Sequence, residues 1–560
     1  MPTMERPWLS HYPAGMPTAV DPNRFASLPA MFEESFSRHA ARTAFHFMGR
    51  DISYAQLDAD SQALAAWLQT QGLERGDRIA IMLPNLPQYP VAVVAVLRAG
   101  MVVVNINPLD TPRELEHQLR DAGAKAIVVF ESFAAKLEQV LPRVSAKTVL
   151  LASMGDMLGS MKGTLVNHMA RRVRHMVPAF RLPGALRFNT ALAEGRRETF
   201  QPPTLGPDDI AVLQYTSGTT GVSKGAVLLH RNLVANLLQS DLWNQPALAR
   251  LAADEPFVIV CAMPLHHIFG FTVCMLLGLR LGGCNILIPN PGDLDALIKT
   301  LAGHRFHSFP AVNTLFQDLA QHPDIGRVNF SALKICVSGG MAVHSATAGR
   351  WLETTGCPII EGYGLSETSP SVTCNPMDST AFTGTIGLPL PGTDLMLLDD
   401  AGHAVPPGMP GEIAIRGPQV MAGYWQRPDD TAKAMTADGF FRSGDIGTVD
   451  ERGYFRIVDR KKDMILVSGF DVFPNEVEEV ITRLPGVLEC AAIGVPDALV
   501  GESVKVIVVK RDPAVTEQDI RTHCEANLTG YKRPKVVEFR AELPKTPVGK
   551  ILRRELRDAA

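Results

Sequence analysis

Helical stretches and short β-branched runs alternate along this chain from Ile52 onward, and that alternation limits the fold more than any other feature. Positions 62–70 and 90–98 read as helices and 78–82 and 101–105 as strands, with further strands expected at 126–129, 258–261, 286–288 and 334–337. Parallel strands need crossover helices that cover the sheet, so the pattern predicts an α/β protein of packed sheets and helices. No period of roughly 20 to 50 residues repeats, which excludes a solenoid. At 560 residues the chain exceeds what one hydrophobic core holds, so two or more domains are expected. Hydrophobic residues at 46% and charged residues at 20% are ordinary globular usage and exclude disordered, collagen-like and coiled-coil classes. A net charge of -4 creates no field that would gather nucleic acid, and no nucleic-acid partner is expected.

The first residues carry no basic start followed by an apolar core, so export is not expected. The apolar stretch 91–104 is interrupted by Arg98 and falls short of the ~20 residues a membrane-spanning helix needs. Eight scattered cysteines form no CxxC pair, and no histidine cluster has metal-ligand spacing; they read as reduced, buried thiols of a cytoplasmic protein. Segment 158–192 carries Lys162, Arg171, Arg172, Arg174, Arg181 and Arg187 with no acidic residue. Met161, Leu165, Met169, Val173, Met176, Val177 and Phe180 are interleaved with them. Such a helix fits an anionic membrane surface on the inner face, and equally a solvated face packed on its own domain. A charged run at 459–463 precedes a compact α+β tail, which sets the division at 1–459 and 460–560 with a hinge near 460–462.

The string Tyr215-Thr-Ser-Gly-Thr-Thr-Gly-Val-Ser-Lys-Gly-Ala226 mixes glycines with hydroxyl residues and ends on Lys224. Backbone N–H groups, hydroxyls and an ammonium in one flexible loop can wrap phosphate oxygens. A helical pattern is expected after it, from 228 to 238. The GxxxxGK[ST] spacing is absent, so a P-loop fold is disfavoured.

This string resembles the signature of the adenylate-forming superfamily. Further resemblances follow in that superfamily's order: Pro264-Leu-His-His-Ile-Phe-Gly270, Ser338-Gly-Gly340, Gly362-Tyr-Gly-Leu-Ser-Glu-Thr368, Gly411-Glu412 with Arg416-Gly417, Ser443-Gly-Asp445, Asp459-Arg-Lys-Lys-Asp463 and Pro544-Lys-Thr-Pro-Val-Gly-Lys550. Tyr12-Pro-Ala-Gly15, Asn107-Pro-Leu with Thr111-Pro-Arg-Glu-Leu-Glu-His-Gln118, and Ile465-Leu-Val-Ser-Gly469 are similar to bacterial-type long-chain fatty-acid CoA ligases. The resemblance implies a large N-terminal α/β domain for AMP and acyl binding and a small mobile catalytic α+β domain. It implies an acid-thiol ligase that uses ATP, Mg²⁺ and coenzyme A, forms an acyl-adenylate and pyrophosphate, and then an acyl-CoA and AMP. A long-chain fatty acid is the expected substrate, a medium-chain or aryl acid the alternative, and a catalytically silent nucleotide-binding sensor the alternative of another class. Contact with an anionic membrane and a homodimer are both compatible with it.

Residue roles follow from the same resemblance. Thr216, Ser217, Gly218, Thr219, Thr220, Gly221 and Lys224 line the phosphates, with Gly339, Gly340, Gly362, Gly364 and Ser366 around the nucleotide. Tyr363 stacks on adenine, Asp445 receives the ribose hydroxyls, Arg460 assists it and Glu367 holds Mg²⁺. His267 lies beside the carboxylate, Lys550 bridges carboxylate and α-phosphate, Lys462 is the hinge and Gly469 belongs to the pantetheine channel. Phe269, Phe271 and Met341 line the acyl pocket, with Val312 near them. His266 and His267 stand where amino-acid-activating relatives need an acid, and an unpaired buried ammonium is costly, so amino-acid substrates are disfavoured. Asp110, Asp471, Phe473 and Ser366 depart from the usual pattern, and the two aspartates are expected to add negative charge near nucleotide or CoA surfaces.

Overall fold

The computed structural model describes residues 6–216, 223–252, 255–468, 470–497, 499–546, 549 and 551–558. The βα alternation builds an eight-stranded sheet in the order Gly423–Tyr424, Lys224–Leu229, Ile210–Thr216, Val102–Asn105, Arg78–Met82, Ala126–Phe130, Thr148–Ala152 and Leu186–Arg187. From Ile210–Thr216 to Leu186–Arg187 the strands run parallel, and the first two pairings are antiparallel. Val102–Asn105 and Ala126–Phe130 are buried at every residue, as parallel strands covered on both faces must be. The helix Gln88–Arg98 is buried along its whole length, which explains its valine and alanine content. Arg98 ends it inside the protein, paired with Glu33 at 2.6 Å and Asp58 at 2.5 Å, so the charge that interrupts the apolar stretch is compensated.

A second sheet pairs Val258–Cys261, Cys284–Leu287, Thr43–Phe47 and Arg50–Ser53. Parallel bridges through Ser308 and Ala311 join it to a third, made of Cys336–Ser338, Ile359–Gly364, Ser371–Cys374 and Leu388–Pro389. An antiparallel sheet of Asp394–Leu398, Gly411–Arg416, Phe441–Val449 and Phe455–Arg460 follows. After the turn 461–463, five strands between Ile465 and Arg540 form a sheet of their own. Helices Pro474–Thr482 and Glu517–Asn527 cover it around a separate core that includes Ile465, Val477, Ile481, Val506 and Ile520.

Three local expectations change. The residues after the glycine-rich loop form the strand Lys224–Leu229, and helix begins at His230, because 224–229 pairs with Ile210–Thr216 in a hairpin. The helix expected at 62–70 starts earlier, at Tyr54, where the Ser53 side chain accepts the Gln56 N–H and caps it. The basic segment 158–192 has an acidic partner from outside it: buried Glu131 pairs with Arg171 and Arg187, both at 2.8 Å. All eight cysteines are free; Cys284 is half-buried and the others are buried. Among the described residues no helix is long and apolar enough to cross a membrane.

Candidate nucleotide and acyl site

The hairpin that carries the glycine-rich loop fixes its two ends, because Thr216 pairs with Lys224 across the sheet edge. Ser217, Gly218, Thr219, Thr220 and Gly221 lie outside the described residues, as do Gly469 and Lys550. Lys224 Nζ sits 2.9 Å from Asp430 and 5.4 Å from the centre of the Tyr424 ring. Tyr424 is the pivot of this corner, since its hydroxyl donates to Glu367 Oε1 at 2.9 Å. Glu367 itself lies in the short turn Ser366–Thr368 beside buried Ser366, and its backbone carbonyl accepts the Met421 N–H at 2.8 Å. Burial raises the Glu367 pKa, so a nearby cation would be favourable here.

A second cluster stands on the antiparallel sheet, where Asp445 and Arg460 are cross-strand partners. The Tyr363 hydroxyl donates to Asp445 Oδ2 at 2.7 Å, and Arg460 Nε lies 3.2 Å from Oδ1. The turn before Asp445 is held from below. Glu412 accepts the Gly444 N–H at 3.1 Å and pairs with Arg442 at 2.7 Å, while Gly444 adopts φ of 73°. The Tyr363 residue is half-buried with its hydroxyl anchored on Asp445.

A third group lies where two sheets meet. A Cβ built on Gly339 would be 3.5 Å from the Gly362 carbonyl oxygen and 3.6 Å from Phe269 Cζ, so these three are neighbours. Gly340 has φ of 86°, and Ser338 Oγ is buried without a partner among the described residues. Gly364 must be glycine because a Cβ would stand 2.0 Å from the Pro370 carbonyl oxygen. Phe269 and Met341 are half-buried, whereas Phe271 is fully buried in the main core. His267 follows Pro264 in a tight turn in which its N–H donates to the Pro264 carbonyl. The His266 carbonyl accepts from Gln214 at 3.1 Å, and burial pushes the His266 ring down to about 3, so it is neutral.

Residues from the far end of the chain reach this third group. A Cβ on Gly549 would lie 2.5 Å from Thr314 Oγ1 and 3.6 Å from Val312 Cγ2, and neighbouring Ala311 bridges to Ser338. The segment that carries Gly549 is closed at its base by the Lys545–Ile551 bridge and by the Leu552 N–H donating to the Pro544 carbonyl at 2.9 Å. Lys462 is exposed in the turn 461–463 between the two sets of sheets.

Comparison with known proteins identifies the family. The family described as AMP-binding enzyme matches residues 32–425, and its C-terminal domain matches residues 476–550. The chain belongs to the AMP-binding enzyme family. Within this family it is 51% identical over 558 residues to a long-chain-fatty-acid–CoA ligase of Escherichia coli O6:H1, covering 100% of this chain and 99% of that one. Its fold matches ATP-bound MatB from Rhodopseudomonas palustris with a TM-score of 0.81 at 31% identity, covering 95% of this chain and 99% of MatB. The same MatB without nucleotide scores 0.72 at the same identity and coverage.

Tyr424 and Asp430 escaped the sequence reading. Gly411-Glu412 was visible as a motif without a task, and nothing local marks Tyr424 or Asp430, whose roles arise from contacts across 57 and 206 positions. The Asp110 carboxylate accepts from Gln118 at 2.7 Å, and burial pushes it up to about 6.

Proposed function

We propose that this enzyme joins a long-chain fatty acid to coenzyme A in two steps at one site, with ATP consumed in the first. The observation that carries this reading is Gly549 seated against Val312 and Thr314, in the segment whose Ala311 bridges to Ser338. That contact supports placing the residue before Lys550 near the carboxylate end of the acyl chain and the α-phosphate. In the first step a carboxylate oxygen attacks the α-phosphorus and pyrophosphate leaves. Both partners are anionic, so oriented cations and donors supply the stabilisation. Lys550 serves the attacking carboxylate, Lys224 and the loop 216–221 the leaving phosphates, and Asp445 with Arg460 the ribose. Tyr363 lies under the base, with Gly339, Gly340, Gly362 and Gly364 letting backbone approach the nucleotide.

Glu367 is the residue that would hold Mg²⁺, which supplies charge neutralisation of the triphosphate when bound. A single buried carboxylate fits that ion, which keeps water and phosphate oxygens as its other ligands, and the described residues contain no group of three His, Cys, Asp or Glu that would cage it. In the second step the CoA sulfur attacks the acyl carbonyl and AMP leaves. We assign the hinge to Lys462, dividing 1–459 from 460–560, so that rotation withdraws Lys550 and presents the 465–472 hairpin with Gly469. His267 and Phe269 border the carboxylate end, with Met341 and the deeper Phe271 along the chain. The overall identity to fatty-acid ligases, the absence of an acid at positions 266 and 267, and the apolar character of this wall support a fatty substrate over an amino acid.

The exposed apolar stripe Met161, Leu165, Met169 and Val173, spaced four apart on helix Ser160–His168 and its continuation Met169–Val173, with exposed Met176 just beyond, supports contact with the cytoplasmic face of an anionic membrane. Met161 is 87% exposed, and Arg172, Arg174 and Arg181 are exposed beside the stripe. Vesicle flotation checks this. Wild type should float with phosphatidylglycerol vesicles and less with phosphatidylcholine, and Leu165→Glu with Val173→Glu should stay behind; equal flotation of both proteins removes the proposal.

The central test is ATP–pyrophosphate exchange and CoA-dependent AMP release across acids of increasing length. Stimulation by fatty acids supports the reading, and stimulation by aryl acids alone replaces it with the aryl alternative. No stimulation by any acid, with nucleotide binding retained, leaves the silent sensor. Lys550→Ala should lose exchange by about 100-fold or more while still consuming a supplied acyl-adenylate with CoA.

A further inference from the structure

Three carboxylates converge on one guanidinium next to the hinge. Arg553 grips Glu478 with two bonds, Nε to Oε1 at 3.1 Å and Nη2 to Oε2 at 2.7 Å, and also donates from Nη2 to Asn475 Oδ1 at 2.7 Å. Its Nη1 lies 3.9 Å from Asp459 and 3.7 Å from Asp463, and Asp463 is paired in addition with Arg557 at 2.7 Å. Asp459 is 0% exposed. Its Oδ2 accepts the Asn475 N–H at 2.7 Å, its Oδ1 accepts the Arg460 N–H at 2.7 Å, and Asn475 Nδ2 donates to the Val458 carbonyl at 3.2 Å.

These partners belong to opposite sides of the turn 461–463. Asp459 is locked into the antiparallel sheet of the large part, where Ile446 is its cross-strand partner. Asn475 and Glu478 start the helix Pro474–Thr482, and Arg553 starts the helix Arg553–Asp558, both in the small part. A turn of the chain about Lys462 therefore separates Asp459 from Asn475 and Arg553 while leaving Arg553 on Glu478. The same Arg553 directly follows Leu552, whose N–H closes the base of the segment bearing Gly549. One side chain thus ties the hinge strand to the exit of the segment that carries the residue before Lys550.

We propose that Asp459, Asn475 and Arg553 form a latch across the hinge that holds the orientation used for adenylate formation and opens for thioester formation, with Arg553 the positioning residue for the Lys550 segment. The latch rests on the two-step reading above and adds to it the contact that sets the balance between the two orientations. A charge buried at Asp459 is tolerated only beside its partners, so opening requires the carboxylate to be rehydrated or re-paired. Closing in turn gives Lys550 a fixed base from which to act.

The test compares wild type with Asp459→Asn, Arg553→Met and Arg553→Lys in the full chain, each half-reaction measured alone. ATP–pyrophosphate exchange reports the first step, and consumption of a supplied palmitoyl-adenylate with CoA reports the second. Asp459→Asn and Arg553→Met should lower exchange by about tenfold or more and leave the second step unchanged or faster, and Arg553→Lys should recover part of the exchange. An equal fall in both half-reactions, or no change in either, overturns the latch. Asp459→Asn keeps the shape of the side chain, so it decides the question even where Arg553→Met does not fold. Wild type inactive in both half-reactions overturns the functional reading, and the latch with it; wild type active in both with no split among the variants overturns the latch alone.

Discussion

Glu367 shows how a single side chain acquires its task from a neighbour that local sequence does not announce. Burial pushes its carboxyl toward the neutral form, and against this its own backbone N–H and then the Tyr424 hydroxyl favour the ionised one. Tyr424→Phe removes that donor without changing ring packing, and a lost bond to a charged acceptor costs about 1.5 kcal/mol, so the Mg²⁺ concentration for half-maximal pyrophosphate exchange should rise about tenfold. Melting temperature should change little. An unchanged Mg²⁺ requirement would remove Tyr424 from this role. At this scale the motifs singled out Glu367, Tyr363 and Asp445, and the fold brings Tyr363 and Asp445 into hydrogen-bond contact. The sequence was silent wherever the partner is distant, as at Tyr424, Asp430 and Arg553.

The helix His230–Leu248 illustrates the element scale, because its first residue joins it to another helix. His230 is buried and its Nδ1 accepts the Leu28 N–H at 3.2 Å, at the start of Leu28–His39. Burial holds its ring down to about 4 against an ordinary 6.5, although Asp209 pulls the other way. The folded chain therefore binds fewer protons than the unfolded chain between those values. The corresponding stability is complete above pH 6.5 and is lost as pH falls toward 4. His230→Gln keeps an acceptor for Leu28 and cannot titrate, so its loss of stability between pH 7 and 4.5 should be smaller than that of wild type by roughly 2 kcal/mol. Urea unfolding at both pH values measures the difference, and parallel pH curves for the two proteins would refute the assignment. The periodicity of apolar residues made the elements themselves readable, including the strands Arg78–Met82 and Val258–Cys261. The helix expected at 228–238 is in place from His230 onward and differs only at 228–229, because a hairpin pairing with a distant strand, not local pattern, makes 224–229 a strand.

At the scale of the whole molecule the chain has a large N-terminal and a smaller C-terminal set of sheets and helices joined through the turn 461–463, and the proposed two-step reaction needs rotation there. The bonds of that turn are made by the amides of Lys461, Asp463 and Met464, so a proline at 462 removes none of these three. Proline does fix φ near -65°, which restricts rotation there. Lys462→Pro should therefore keep pyrophosphate exchange within about threefold of wild type and lose consumption of supplied acyl-adenylate by about 100-fold. Loss of exchange with retention of the second step would mean that the present arrangement serves thioester formation. Retention of both would mean that rotation occurs elsewhere.

Order along the chain was enough to establish the family, the α/β class and the chemical types gathered for nucleotide binding, because motifs and hydrophobic periods are local properties that survive without coordinates. Tertiary structure alone decided that Tyr424 orients Glu367, that Asp430 occupies Lys224, and that the segment before Lys550 rests on Val312 and Thr314. Each of these is a contact between residues far apart in sequence, set by how sheets pack, and residue order carries no direct record of such distances.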